Sequence, residues 1–106
     1  MNTPFISMTG IAFIMVGAVV AQTAAAADAA NGMRLAERWC AACHVVTSAQ
    51  REAYADAPQF EEIAQRPAFS ESGTVRFLLD PHAKMPNMNL SRTEAADIAA
   101  YISRLR

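Results

Sequence analysis

Trp39-Cys40-Ala41-Ala42-Cys43-His44, read W-C-A-A-C-H, holds both cysteines and one of the two histidines of a 106-residue chain. Two thiols spaced by two residues, with an imidazole directly after the second, make a dense group of strong ligands. A redox-active thiol pair, a metal site and covalent attachment of a cofactor all use such a group. The sequence on either side decides between them.

Outward from the motif the pattern is helical. From Asn31, the residues Gly32, Leu35, Ala36, Trp39 and Cys43 recur at helical spacing, which predicts an amphipathic first helix running into the motif. Val45 to Ala57 has no clear period and reads as loop. A short helix is expected over Gln59–Gln65, between Pro58 and Pro67. Another is expected over Ser72–Leu79, with Val75, Leu78 and Leu79 as its buried side and Asp80-Pro81 as its stop. His82 to Leu90 is loop, stiffened by Pro81 and Pro86. Ser91-Arg92-Thr93-Glu94 is a capping box, in which serine and glutamate reciprocally satisfy orphan backbone N–H groups. Ile98, Ile102 and Leu105 follow as one apolar stripe. No strand pattern competes, so the fold class is all-α, with short helices and long loops.

Residues 1–27 carry no charged side chain, and an apolar run extends from Ile11 to Ala21. The alanines at 24–27 offer the small-x-small pattern of a signal peptidase site twice, at Ala24–Ala26 and at Ala25–Ala27. The run is short for a membrane span, which needs about 20 apolar residues. Residues 1–27 are therefore expected to be a cleaved export signal, although no Lys or Arg precedes the apolar run; an uncleaved membrane anchor is the alternative. Residues 28–106 then form one domain, small enough that its apolar core alone gives marginal stability and a staple is needed. Nine basic against ten acidic side chains give a net charge of −1. That balance excludes the basic patch of a nucleic-acid binder.

These surroundings sort the readings of the motif. A thioredoxin-type thiol pair needs a βαβ setting that is missing here. A structural zinc site could recruit Cys40, Cys43, His44 and His82, but the second cysteine pair is absent and Cys43 and His44 are crowded. A Cys40–Cys43 disulfide would close too short a loop to stabilise much. C-x-x-C-H is the attachment signature of c-type haem. On a helix, Cys40, Cys43 and His44 stand at i, i+3 and i+4 and share one face. The two thiols can then add to the haem vinyl groups while His44 takes the iron as proximal ligand.

The other axial position points to M-P-N-M, Met85 to Met88. Pro86 forces Met85 out of helical geometry into an extended loop, and a thioether ligand raises the potential of haem iron. Met88 reads as packing at the haem edge. His82 is the rival ligand and would give a bis-histidine haem of lower potential.

With these residues in place the chain resembles a small class I cytochrome c from about Asn31 to Leu105. The likeness rests on C-A-A-C-H, Gly32 eight residues before Cys40, Met85-Pro86, and L-S-x-x-E-x-x-D-I-x-x-Y-I over Leu90–Ile102. It implies a cytochrome c-like fold around one covalently bound haem c, with first and last helices crossing at Gly32 and Tyr101 beside Ile98. It also implies a proline carbonyl orienting the proximal imidazole, for which Pro58 is the candidate and Pro67 the rival. The chain departs from the family at Ala36, where an aromatic is common; Trp39 is expected to fill that space. The cofactor-binding set is thus Cys40, Cys43, His44, Met85 and Pro58, with His44 and Met85 as iron ligands. Filled axial positions imply no enzyme but a periplasmic one-electron carrier serving redox partner proteins, with Lys84 and Met88 near the exposed edge. A haem c subunit of a periplasmic dehydrogenase or oxidase complex, or a haem-based ligand-binding sensor, are the alternatives.

Overall fold

The computed structural model of the chain describes residues 17–21, 25–81 and 83–106. Most of the expected export segment, and His82, lie outside the described residues. Among the described residues there are four helices and no strand: α1 Ala29–Trp39, α2 Phe60–Gln65, α3 Glu71–Leu79 and α4 Arg92–Ser103. None is long and apolar enough to cross a membrane.

Each start has a local cause. Asp28 sits in extended backbone and its carboxylate accepts from the Asn31 N–H at 3.0 Å, so α1 begins two residues before the expected Asn31. Ser70 caps α3 by accepting from Gly73 N–H at 3.1 Å, which moves that start from Ser72 to Glu71. Gln59 is the cap residue of α2 rather than its first helical residue, and makes no side-chain cap bond. The capping box of α4 is complete: Ser91 Oγ accepts from Glu94 N–H at 3.1 Å, and Glu94 Oε2 accepts from Ser91 N–H at 2.8 Å.

The end of α1 differs from the expectation. Periodicity carries the helix through Cys43, but the structure ends it at Trp39. The Ala36 carbonyl accepts from both Cys40 and Ala41 N–H, at 2.8 and 3.0 Å, which widens the last turn. A separate turn then closes on the Cys40 carbonyl, which accepts from Cys43 N–H at 3.1 Å and His44 N–H at 2.8 Å. The motif therefore keeps a helix-like single-turn spacing without being part of the helix.

α4 is the hub, with α1 crossing it and α2 and α3 packed along it. Ala36, Ala64, Ala95, Ile98 and Ala99 are fully buried. At the crossing Gly32 lies against backbone: a Cβ there would stand 2.9 Å from Ile98 N and closer still to the Asp97 carbonyl. The backbones do approach at Gly32, as the resemblance implied, and the group met there is the Asp97–Ile98 peptide. Tyr101 donates its hydroxyl to the Val46 carbonyl and stacks at a tilt on Phe60, tying α4 to the loop after the motif.

A polar clamp accompanies the crossing. The buried Asp97 carboxylate accepts from the Asp28 backbone N–H at 2.7 Å and from Asn31 Nδ2–H at 2.8 Å. At the far end of α4, Arg106 Nε–H donates to the Ala64 carbonyl at 3.0 Å while its guanidinium lies over the Phe69 ring. Trp39 does not fill space beside Ala36: it is half exposed, with the Arg38 guanidinium 4.9 Å from its ring centre. Ala36 is closed over by the crossing itself.

Candidate haem-binding site

α2, α3, α4, the motif turn and the Met85 loop enclose a cavity of about 680 Å³, within the range of pre-formed small-molecule sites. Its lining is mainly apolar, with Phe60, Ile63, Phe69, Phe77, Leu78 and Ile102 contributing. Cys40, Cys43, His44, Pro58, Met85 and Pro86 all border it as well. Three separate stretches of the chain, the Cys40–Cys43–His44 motif, Pro58 and Met85, thus meet at one cavity.

The motif turn presents its members unequally. Cys40 is buried and Cys43 exposed, and both are free thiols. Burial, reinforced by the neighbouring Cys43, pushes the Cys40 thiol up to about 11. His44 Nδ1–H donates to the Pro58 carbonyl at 2.6 Å. A carbonyl can only accept, so the contact places the proton on Nδ1 and leaves the lone pair on Nε2. Phe60 tilts against the imidazole with ring centres 5.4 Å apart, limiting its rotation. Pro67, the alternative partner, lies between α2 and α3 and does not border the cavity.

Gln50 was not legible in advance. It lies in the stretch without period, yet its side chain braces the motif loop from inside. Oε1 accepts from Val46 N–H at 3.0 Å, and Nε2–H donates to the carbonyls of Ala41 at 2.8 Å, His44 at 2.9 Å and Glu52 at 3.0 Å. Two further backbone bonds fold the loop back, Tyr54 N–H to Ala42 O at 2.8 Å and Phe60 N–H to Val45 O at 3.0 Å. The second hands the chain from His44 to α2 and so brings Pro58 under the imidazole. A glutamine six residues after the motif carries no signal in sequence, because its partners are all backbone groups.

The Met85 loop approaches from the other end of the chain. Met85 is half-buried against the core and borders the cavity, whereas Met88 borders a neighbouring cleft of about 30 Å³. Asn89 has a left-handed backbone, with φ of 53°, and its N–H bonds the Asn87 side chain at 2.8 Å. Asparagine tolerates that conformation, and it turns the loop into the Ser91 cap. Lys84 borders the cavity and is exposed.

The donor set fits haem. Among the described residues, no three His, Cys, Asp or Glu side chains gather as a metal cluster. The apolar lining, two thiols and an imidazole with a free Nε2 lone pair suit a large flat macrocycle held covalently at one edge. An all-α domain with a C-x-x-C-H turn bordering such a cavity defines a c-type haem protein. The chain belongs to the cytochrome c family, whose model, described as cytochrome c, matches residues 29–106. Its cofactor is covalently bound haem c, and electron transfer is the family's work. The chain is 54% identical over 99 residues to cytochrome c-552 of Bradyrhizobium diazoefficiens, covering 93% of this chain and 95% of that protein. No solved structure matches it.

Proposed function

We propose that the protein is a one-electron carrier of the periplasm, exported by residues 1–27, in which haem c is held by Cys40 and Cys43 and ligated by His44 and Met85. When bound, haem c supplies a one-electron Fe(III)/Fe(II) couple. The observation that carries the reading is the His44–Pro58 contact at 2.6 Å, which readies Nε2 for iron beside a cavity that both cysteines and Met85 also border.

Each residue has a defined part. Pro58 holds the imidazole in one tautomer and one orientation. Phe60, Leu78 and Ile102 keep water from the cavity and so hold the potential of a one-electron couple high. Met85, which Pro86 keeps out of helical geometry, supplies a soft ligand that favours the reduced state. With His44 and Met85 both held as ligands, no substrate would reach the iron, which supports a carrier over an enzyme. Partners would be redox proteins docking where Lys84 and Met88 flank the Met85 loop. Near-neutral charge gives no strong steering and supports contacts made by shape at that edge.

The test is the visible spectrum of protein matured in an exporting host with haem-attachment machinery. Reduced c-type bands that survive denaturing extraction are expected, with a weak far-red thioether band in the oxidised form. Met85→Ala should abolish the far-red band and open the ferrous form to carbon monoxide. A far-red band that persists in Met85→Ala, or is absent from the parent, overturns the methionine assignment.

A further inference from the structure

The contact between Asp28 and Asp97 has a meaning that depends on where the export segment is cut. Asp28 N donates to the Asp97 carboxylate at 2.7 Å across 69 residues of sequence, and Asp97 is only 4% exposed. Asp28 is also where regular structure begins: it is the cap of α1, in extended backbone. Ala25, Ala26 and Ala27 before it are exposed and without helix. Cutting after Ala26 would leave the new terminus one residue short of the contact.

Resting on the export reading above, we infer that cleavage falls between Ala27 and Asp28, and that the α-ammonium it creates pairs with the buried Asp97 carboxylate to complete the crossing of α1 and α4. Water adds across the Ala27–Asp28 peptide bond under a leader peptidase: Ala27 leaves as a carboxylate, and the freed Asp28 amine takes up a proton. A neutral amide donor becomes a cation at the same nitrogen, already within hydrogen-bond distance of its counter-charge. The mature chain thereby holds a cross-link that the precursor has only as a neutral hydrogen bond.

The groups facing this nitrogen favour a cation. From α4 comes Asp97, whose other oxygen is bonded by Asn31 Nδ2–H. From its own element come the Asp28 carboxylate and Arg34, the latter donating to Asn31 Oδ1 at 3.2 Å. Two carboxylates against one more distant guanidinium outweigh the repulsion of a cation at a helix N-terminus. The terminal amine should therefore bind its proton more tightly in the folded protein than the ordinary α-amino value of about 7.7–8.0. The stability it contributes is present below that ordinary value and is lost as pH rises through the folded one.

Intact mass of the exported holoprotein gives the terminus, and NMR titration of the α-amino group gives its proton affinity. The expected results are a chain starting at Asp28 and a titration at least one unit above that of Asp97→Asn, a tenfold difference in proton affinity. Inserting one alanine between Ala27 and Asp28, with intact mass showing that the chain then starts at the inserted residue, leaves Asp97 intact and moves the amine away; its titration should return to the ordinary value, which covers the case that Asp97→Asn does not fold. A chain starting at Ala27, or keeping the export segment, overturns the cleavage position on which the inference rests. A chain starting at Asp28 whose amine titrates alike with and without the inserted alanine overturns the ion pair and leaves the cleavage standing.

Discussion

Gly32→Ala adds one methyl group to the crossing of α1 and α4. The added carbon would stand 2.9 Å from Ile98 N and nearer still to the Asp97 carbonyl, where ordinary contact begins at 3.4 Å. Both neighbours are backbone, so no side chain can swing aside, and the helices must part by about an ångström. Parting them strains the two bonds of the Asp97 carboxylate, at 2.7 and 2.8 Å to Asp28 N and Asn31 Nδ2. Overpacking costs about 1–3 kcal/mol, and weakening charge-assisted hydrogen bonds adds about 1.5–3 kcal/mol. Alanine returns about 1 kcal/mol through helix propensity. The expected net loss is about 1.5–5 kcal/mol, read by guanidinium denaturation of the haem-loaded protein at pH 7. Gly73→Ala is the control, since its Cβ would meet chiefly the Ser70 side chain, which can turn. A loss under about 1 kcal/mol for Gly32→Ala would refute the view that backbone contact sets the crossing.

Further outcomes concern the hydrogen bonds around the site. Tyr101→Phe should cost about 1–3 kcal/mol, because the buried Val46 carbonyl loses its donor. Burial, and then Glu37, raise the Tyr101 hydroxyl above its ordinary value. Its contribution is therefore full below about pH 10 and disappears as pH rises through the folded value; parallel stability profiles for parent and Tyr101→Phe between pH 9 and 11.5 would contradict this. Gln50→Ala should cost about 1–3 kcal/mol and move the NMR resonances of the His44 ring, with Gln50→Glu recovering only the Val46 contact. Unmoved resonances would reduce Gln50 to a surface residue. Ser91→Ala should cost about 1 kcal/mol in the same denaturation assay with the haem spectrum unchanged.

What could be read in advance divides by the range of the cause. The α4 capping box was legible because its reciprocal bonds span three residues, and the structure contains both. The short helices were legible because proline and spacing act locally, although the first residue of each shifted by one, with the Ser70 side chain as the cause at α3. The end of α1 was not: Cys43 continues the period of Leu35 and Ala36, while the backbone changes partners at Ala36. Gly32 was picked out by its distance from Cys40, yet what it meets is the Asp97–Ile98 peptide, on another helix. Asp97 stood inside the quoted α4 pattern without its clamp being visible. Gln50 and Arg106 were invisible because each bonds backbone carbonyls, which every residue has.

The crossing of α1 with α4 also fixes when the fold can close. Asn31 and Gly32 leave the ribosome well before Asp97, Ile98 and Tyr101. Bringing Asp28 to Asp97 closes a loop of 69 residues, at an entropy cost of about 4 kcal/mol that no shorter contact offsets on its own. Until α4 emerges, no other helix is there to cover the buried side of α1. Closure of the helical domain thus waits on α4, the element that α1, α2 and α3 all pack against.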